Sequence, residues 1–420
     1  MKTTNHTSIL PQIVLAFLCV NAIPTSGVAA PVTPRSVGMA DNALPLAFGM
    51  EALTENPAAL GVRKAGSWEL QLFNASTAIG SNALGFGDYR LYNGATLSDA
   101  DKASILGKIP TGGWRLGAQA EVSAAAVRIG PFGARLSGYA AGRGNLDREI
   151  LELLLYGNQQ DRLYTSKLNS GEALAAAELS LSGAARLWQR PTASLYGGLT
   201  VRLIRGLYYA QLHQTEGSLV AEFTGVSGSG HASATTAEGG NGIAVDWGAL
   251  LTLSPRFTVG LVLDNAPGLV RWSTNAQTKQ YDVTFDGITA DNFEDSLWVD
   301  NESTTSIPSF GRSLPMRLRL GVGRTGAKLQ TTAVATFGFS NRLTVSSTPE
   351  FGLGAEYSPV SFFPLRAGLT IGGLDGFSTG LGGGVFLGAF HLELGLRTAG
   401  GLWPTHGRGA ELALAGALHF

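Results

Sequence analysis

From Trp68 to the final residue, apolar and polar side chains alternate in short blocks. After the N-terminus no run of about 18 apolar residues is long enough to cross a bilayer as a helix. A period of two belongs to strands whose faces meet different surroundings. Leu412, Leu414, Gly416, Leu418 and Phe420 share one face of the last stretch, with Glu411, Ala413, Ala415, Ala417 and His419 on the other. Met316, Leu318, Leu320 and Val322 oppose Arg317 and Arg319, and Phe390, Leu392, Leu394 and Leu396 oppose His391, Glu393 and Arg397. Further upstream, Trp114, Leu116, Ala118, Ala120 and Val122 oppose Arg115, Gln119, Glu121 and Ser123, and Trp68, Leu70 and Leu72 oppose Glu69 and Gln71.

A soluble sandwich also alternates, so the pattern by itself leaves two architectures open. Number and spacing favour one closed barrel. Similar strands continue to the end of the chain, helices are too few to cover them, and no change of composition marks a second domain. The 57 glycines among 420 residues are nearly twice the usual share. They are interleaved with Leu, Val and Phe rather than Ser and Pro, which suits a twisted sheet and not a disordered linker. A formal net charge of -1 gives no reason to expect nucleic acid.

The connections give an independent test, because transmembrane barrels have short turns at one end and long loops at the other. Short links are expected at 388, 358–363, 325–328, 254–256 and 189–192, and long or polar ones at 398–408, 341–348, 264–314, 208–241 and 142–171. Roughly fifteen candidate strands result, and the even number that such barrels need makes about fourteen the expectation. The stretch from Trp68 is then either outside the barrel or misdivided.

Residues 1–30 read as a secretory signal peptide, with Lys2, an apolar core from Ile9 to Ile23 and small residues around Ser26–Ala30. The only cysteine, Cys19, lies in that core, so the exported chain is expected to have neither disulfides nor thiol chemistry. Residues 31–66 are expected to form an N-terminal periplasmic or lumenal segment, and 67–420 the barrel.

Within the N-terminal segment, Asp41 leads to Asn56-Pro57-Ala58, where Pro57 marks a turn or helix start. With this order go Asp246-Trp247-Gly248-Ala249 running into Asp264-Asn265-Ala266-Pro267-Gly268, then Gly354-Ala355-Glu356-Tyr357, Pro364-Leu365-Arg366-Ala367-Gly368 and Ser378-Thr379-Gly380-Leu381-Gly382. Over nearly the whole exported chain this series resembles the FadL-like and PorV-like outer-membrane proteins, and most of all the uncharacterised relatives of PorV. The resemblance implies an all-β, antiparallel up-and-down barrel in the outer membrane, with the N-terminal segment in or under it as a plug. The aromatic terminus, Phe420, resembles the signal read by the barrel assembly machinery.

Two expected outer loops carry helical patterns. Ser98 caps 98–108, and 146–156 places Ile150, Leu153 and Leu154 on one side. Such helical insertions would wall a hydrophobic entry groove, and Asn56, Pro57, Ile150, Leu153 and Leu154 are the candidate binding residues. The lumen-facing set includes Arg317, Arg319, Arg366, Glu350, Glu356 and Glu393. Both signs of charge in a confined lumen fit a plugged barrel better than an open pore.

Gly376-Phe377-Ser378-Thr379-Gly380 matches the spacing of a serine-hydrolase elbow. It opens a strand rather than a helix, which argues against an enzyme; Ser378 with His391 and Glu393 is the hydrolase alternative. No histidine motif signals a metal, and no cofactor is expected. The acidic run Asp282, Asp286, Asp291, Glu294, Asp295, Asp300 and Glu302 lacks EF-hand spacing and reads as a solvated loop. The expectation is therefore a barrel in contact with outer-membrane lipid that carries a small hydrophobic ligand. The other reading is a PorV-like docking component for secreted proteins.

Overall fold

The computed structural model describes residues 32–62, 68–254, 256–289 and 298–420. The signal-peptide expectation, with Cys19, lies outside them. Among the described residues the strands are β1 (Trp68–Ser81), β2 (Trp114–Ile129), β3 (Phe132–Leu146), β4 (Leu163–Ser166), β5 (Ser170–Arg190), β6 (Ala193–Glu222), β7 (Gly225–Ala237), β8 (Gly239–Leu253), β9 (Phe257–Asp264) and β10 (Gly268–Thr274). They continue with β11 (Gln277–Ile288), β12 (Trp298–Ser306), β13 (Phe310–Ser313), β14 (Arg317–Thr325), β15 (Leu329–Gly338), β16 (Glu350–Val360), β17 (Phe363–Gly372), β18 (Gly376–Leu387), β19 (Phe390–Ala399) and β20 (Gly409–His419).

Fourteen of these close a ring by antiparallel pairing, in the order β1-β2-β3-β5-β6-β8-β9-β14-β15-β16-β17-β18-β19-β20. The ring is sealed where β20 pairs with β1, from Glu69 opposite His419 to Gly80 opposite Gly409. The Trp68 stretch is thus inside the barrel as its first strand. At the seam, the Trp68 and Phe420 rings stack with centroids 3.9 Å apart, and the Phe420 N–H donates to the Trp68 carbonyl.

Which face meets lipid follows from the alternation. Val122, Leu136, Leu181, Val322, Leu353, Leu381, Leu394 and Leu412 point outward and are exposed, whereas Glu121, Arg135, Glu178, Arg319, Glu356 and Glu411 are buried inside. An apolar surface continuous around the whole molecule is untenable in water and is what a bilayer requires. No helix among the described residues is long and apolar enough to cross a membrane. The periodicity shifts where bulges occur. Between Gln71 and Phe73 the register slips, so the buried set passes from Glu69 and Gln71 to Asn74 and Ser76.

The two ends differ as the link lengths indicate. At one end, β2–β3, β5–β6, β8–β9, β14–β15, β16–β17 and β18–β19 turn over within a few residues, and the longer excursions lie at the other. One loop-end connection, 373–375, is also a tight turn. Among the described residues, the expected long loops at 208–241 and 264–314 prove to be largely sheet. β6 runs on beyond the ring to pair with β4 and β7, β7 pairs with β11, and β11 with β12. A second flap joins β8 to β10 and β10 to β13. These polar, Ser- and Thr-rich strands keep the pleat without a lipid-facing apolar row, which is why their sequence reads as loop. Tyr209, Trp272 and Phe310 pack together beneath them.

Candidate functional site

Residues 32–62 fill the lumen. A helix, Pro34–Gly38, is capped by the Thr33 side chain, and three short 3-10 turns follow. Small residues make this packing feasible. A Cβ at Gly198 would fall within 2.6 Å of the Ala58 Cα, and one at Gly248 within 2.9 Å of the Ala58 nitrogen and the Pro57 ring. The barrel wall therefore uses glycine where the plug comes closest.

Charged residues tie the plug to the wall. Arg35 pairs with Glu51 at 2.8 Å in the plug and with Glu356 at 2.9 Å on β16. Glu356 also receives Arg366 at 2.7 Å, and Arg366 continues to Glu393 at 3.1 Å. Arg319 on β14 reaches Glu55 and Asp264, each at 2.9 Å, and Arg317 reaches Asp264 at 2.6 Å. Four of the six charges assigned to the lumen from sequence, Arg319, Glu356, Arg366 and Glu393, thus lie in ion pairs that hold or back the plug, and Arg317 shares the Asp264 carboxylate. Glu350 lines the cavity above the plug. Burial drives the Glu51 carboxyl up to about 7 against the opposing pull of Arg35.

Asn56 is fully buried. Its Oδ1 accepts from the Ala58 N–H at 3.0 Å, capping the turn Pro57–Gly61, and its Nδ2 donates to the Ala249 carbonyl of β8 at 3.1 Å. Asn56 and Pro57 are therefore the joint between plug and wall. Leu53, Ala58 and Leu60 then pack with Tyr196 and Leu250 from the barrel.

The other predicted residues sit at the loop end. Helix Asp99–Lys108 is capped by Ser98, helix Arg148–Tyr156 is capped by Asp147, and a third helix, Phe86–Tyr92, was not apparent in the sequence pattern. Ile105, Leu106 and Ile109 form a small core with Leu151, Leu155 and Tyr156. The face that packs is thus 151/155. Ile150 and Leu153 remain half-buried and Leu154 is 44% exposed. Asp88 ties helix Phe86–Tyr92 to helix Asp99–Lys108 through Lys108. Burial opposes ionisation of Asp88, but the Lys108 ammonium and the Gly85 N–H outweigh it and hold the carboxyl below its usual range.

Above the plug a vestibule of about 230 Å³ opens toward the loop end. Plug residues Ser36, Asp41 and Glu55 line it together with Arg115, Gln119, Arg143, Arg397 and Glu411 of the wall. Arg397 gathers Asp41 at 2.8 Å, Asp375 at 3.0 Å and Glu411 at 3.3 Å. Neither Asn56 and Pro57 nor Ile150, Leu153 and Leu154 line this cavity. The five predicted residues therefore occupy two separate places and do not form one pocket. The vestibule was missed because its residues come from strands distant in sequence.

The register keeps Ser378 apart from His391 and Glu393. Ser378 lies opposite Ala399, and His391 lies opposite Phe386. Eight residues of strand separate them, roughly 26 Å. Ser378 instead accepts from Arg397 Nε at 3.1 Å, and the His391 ring is stacked between Phe386 and His419. Within the acidic run, Asp282 binds His231 at 2.6 Å and Asp286 accepts from Ser227 at 2.6 Å; Asp291, Glu294 and Asp295 lie outside the described residues. No group of three or more His, Cys, Asp or Glu suited to a metal occurs among the described residues.

No protein-family model matches the chain, and no curated protein matches it in sequence. Solved structures match over almost its full length. The toluene transporter TbuX of Ralstonia pickettii superposes with a TM-score of 0.50 at 16% identity, over 93% of this chain and 99% of that one. A FadL homologue of Pseudomonas aeruginosa gives 0.52 at 14% identity, over 94% and 100%. The chain has a FadL-like fold. A further FadL-like barrel, the toluene transporter TodX of Pseudomonas putida, gives 0.55 at 11% identity, over 94% and 99%. The resemblance to PorV-like proteins rests on the sequence motifs alone.

Proposed function

We propose that this FadL-like barrel resides in the outer membrane and passes small hydrophobic molecules across it. The observation that carries this reading is a ring with an apolar outer face whose lumen is filled by a segment tied to the wall through ion pairs. Two solved barrels of the same fold are described as toluene transporters. An open charge-selective pore would need a clear lumen, and here the plug occupies it. Ile150, Leu153 and Leu154 offer an apolar face that the loop-end core leaves partly uncovered, and they are the proposed entry surface. Asn56 and Pro57 anchor the segment that must shift for passage. Phe420 is the proposed contact for the assembly machinery before the seam closes.

The test is native mass spectrometry, with lipid extraction, of protein purified in detergent from its own outer membrane. A reproducible hydrophobic small molecule is expected, and its occupancy should fall in Leu153→Asp. Recovery of an exported polypeptide alone would instead establish the docking role. That second reading is favoured by one observation: the sheet extends past the ring to β12, which among the described residues pairs with β11 on one side alone.

A further inference from the structure

The vestibule's charges are not evenly matched around its wall. Of its acids, Asp41, Asp375 and Glu411 are engaged by Arg397, and Glu55 by Arg319. Arg317 is engaged by Asp264. Arg115 on β2 and Arg143 on β3 have no carboxylate partner among the described residues. Arg143 lies opposite Gly117 and Arg115 opposite Asn145, so the two arginines are diagonal neighbours, close enough for long side chains to meet. Gly117 leaves the space in front of Arg143 open, and Arg143 Nη1 is buried without a hydrogen-bond partner. The nearest acid along β2 is screened: Gln119 donates to Glu411 at 3.2 Å, and Glu411 is held by Arg397. Glu350, the vestibule acid without an ion pair, lies on β16, half the ring away from β3.

Two neighbouring guanidiniums on one face repel each other, and an oxyanion bridging them would turn that repulsion into paired, charge-assisted hydrogen bonds. We propose that Arg115 and Arg143 form a binding site for a small, tailless oxyanion, of phosphate or short-carboxylate size, at the loop-end mouth of the lumen. Volume and lining favour a small anion over a long acyl chain: the cavity holds about 230 Å³, and ionisable groups on opposite walls interrupt the apolar side chains, such as Ile79, Leu116 and Val345, that also line it. This site is separate from the proposed hydrophobic route and does not depend on it.

Isothermal titration of the detergent-solubilised protein with inorganic phosphate tests the proposal. Saturable binding that weakens with salt is expected, with affinity at least tenfold lower in Arg143→Gln and in Arg115→Gln. Arg143→Lys should retain part of the affinity, and Arg271→Gln, on an outer strand, should retain all of it. Heat-modifiability on gels verifies that each variant is folded. Because Arg115 is exposed, its variant supplies the test if Arg143→Gln does not assemble. Binding in detergent alone assigns the ligand as a free anion; saturation only by lipid phosphate groups in nanodiscs assigns it as a headgroup. Absence of both overturns the site, as does binding unchanged in the two glutamine variants. A medium-chain fatty acid that binds more tightly than phosphate would overturn the tailless class.

Discussion

Arg319→Gln should release the plug while leaving the barrel closed. The Arg319 guanidinium binds the Glu55 carboxylate at 2.9 Å, the Glu55 carbonyl at 2.9 Å and Asp264 at 2.9 and 3.2 Å, and all three side chains are buried. Removing one member of a buried ion pair costs about 3–5 kcal/mol because its partner is left charged and unpaired. Asp264 keeps Arg317, so Glu55 is the stranded group and the lower end applies. A penalty of about 3 kcal/mol on the plugged state raises the open fraction roughly a hundredfold. The assay introduces Ala59→Cys, a buried plug position, together with Cys19→Ser, and follows its modification by a membrane-impermeant maleimide. The pair of variants together should react about a hundred times faster than Ala59→Cys alone, with heat-modifiability unchanged. Equal rates within threefold, in a folded barrel, would refute the view that this arginine holds the plug.

Gly198→Val should also loosen the plug by about 1–3 kcal/mol through overpacking against Pro57 and Ala58, whereas Gly80→Ala, where added atoms meet open space, should be neutral in the same thiol assay. Leu155→Asp should disorder the loop-end helices by disrupting their core, at about 2 kcal/mol or more, seen as faster hydrogen exchange over 99–109. Leu154→Asp should leave that exchange unchanged and reduce hydrophobic uptake. Phe420→Ala removes a stacked ring pair worth about 0.5–1.5 kcal/mol at the seam and should lower the yield of heat-modifiable barrel. Because Asp88 is held below its ordinary range in the folded loop, its contribution is complete above that range and is lost as the pH falls through the depressed value. Protection of the amides over 86–108, taken relative to the intrinsic exchange rate at each pH, should therefore fall on acidification, and Asp88→Asn should abolish that change.

Much of the architecture was legible because a barrel strand separates lipid from lumen at every residue. The rows at Met316–Val322 and Leu412–Phe420, and the alternation of short and long links, follow directly from that separation, as does an even strand number. Helices 98–108 and 146–156 were visible from cap and period, and the lumenal place of the Asn56-Pro57 segment from family resemblance. The outer sheet was not visible, because strands beyond the bilayer lose the apolar row that makes a strand recognisable. The packing face of helix Arg148–Tyr156 was also read one position away: Leu151 and Leu155 turn inward, and a run of consecutive leucines does not indicate which stripe is covered.

The chain's local chemistry by itself determined that this protein is built of strands with one apolar and one polar or charged face, since a period of two needs no knowledge of partners. Tertiary structure alone decided which charges meet. Arg319 finds Glu55 264 residues away, Arg35 finds Glu356 321 residues away, and Arg115 and Arg143 line the cavity with no carboxylate paired to them among the described residues. Ring closure and the path of the plug set those distances, and neither is encoded in any local pattern.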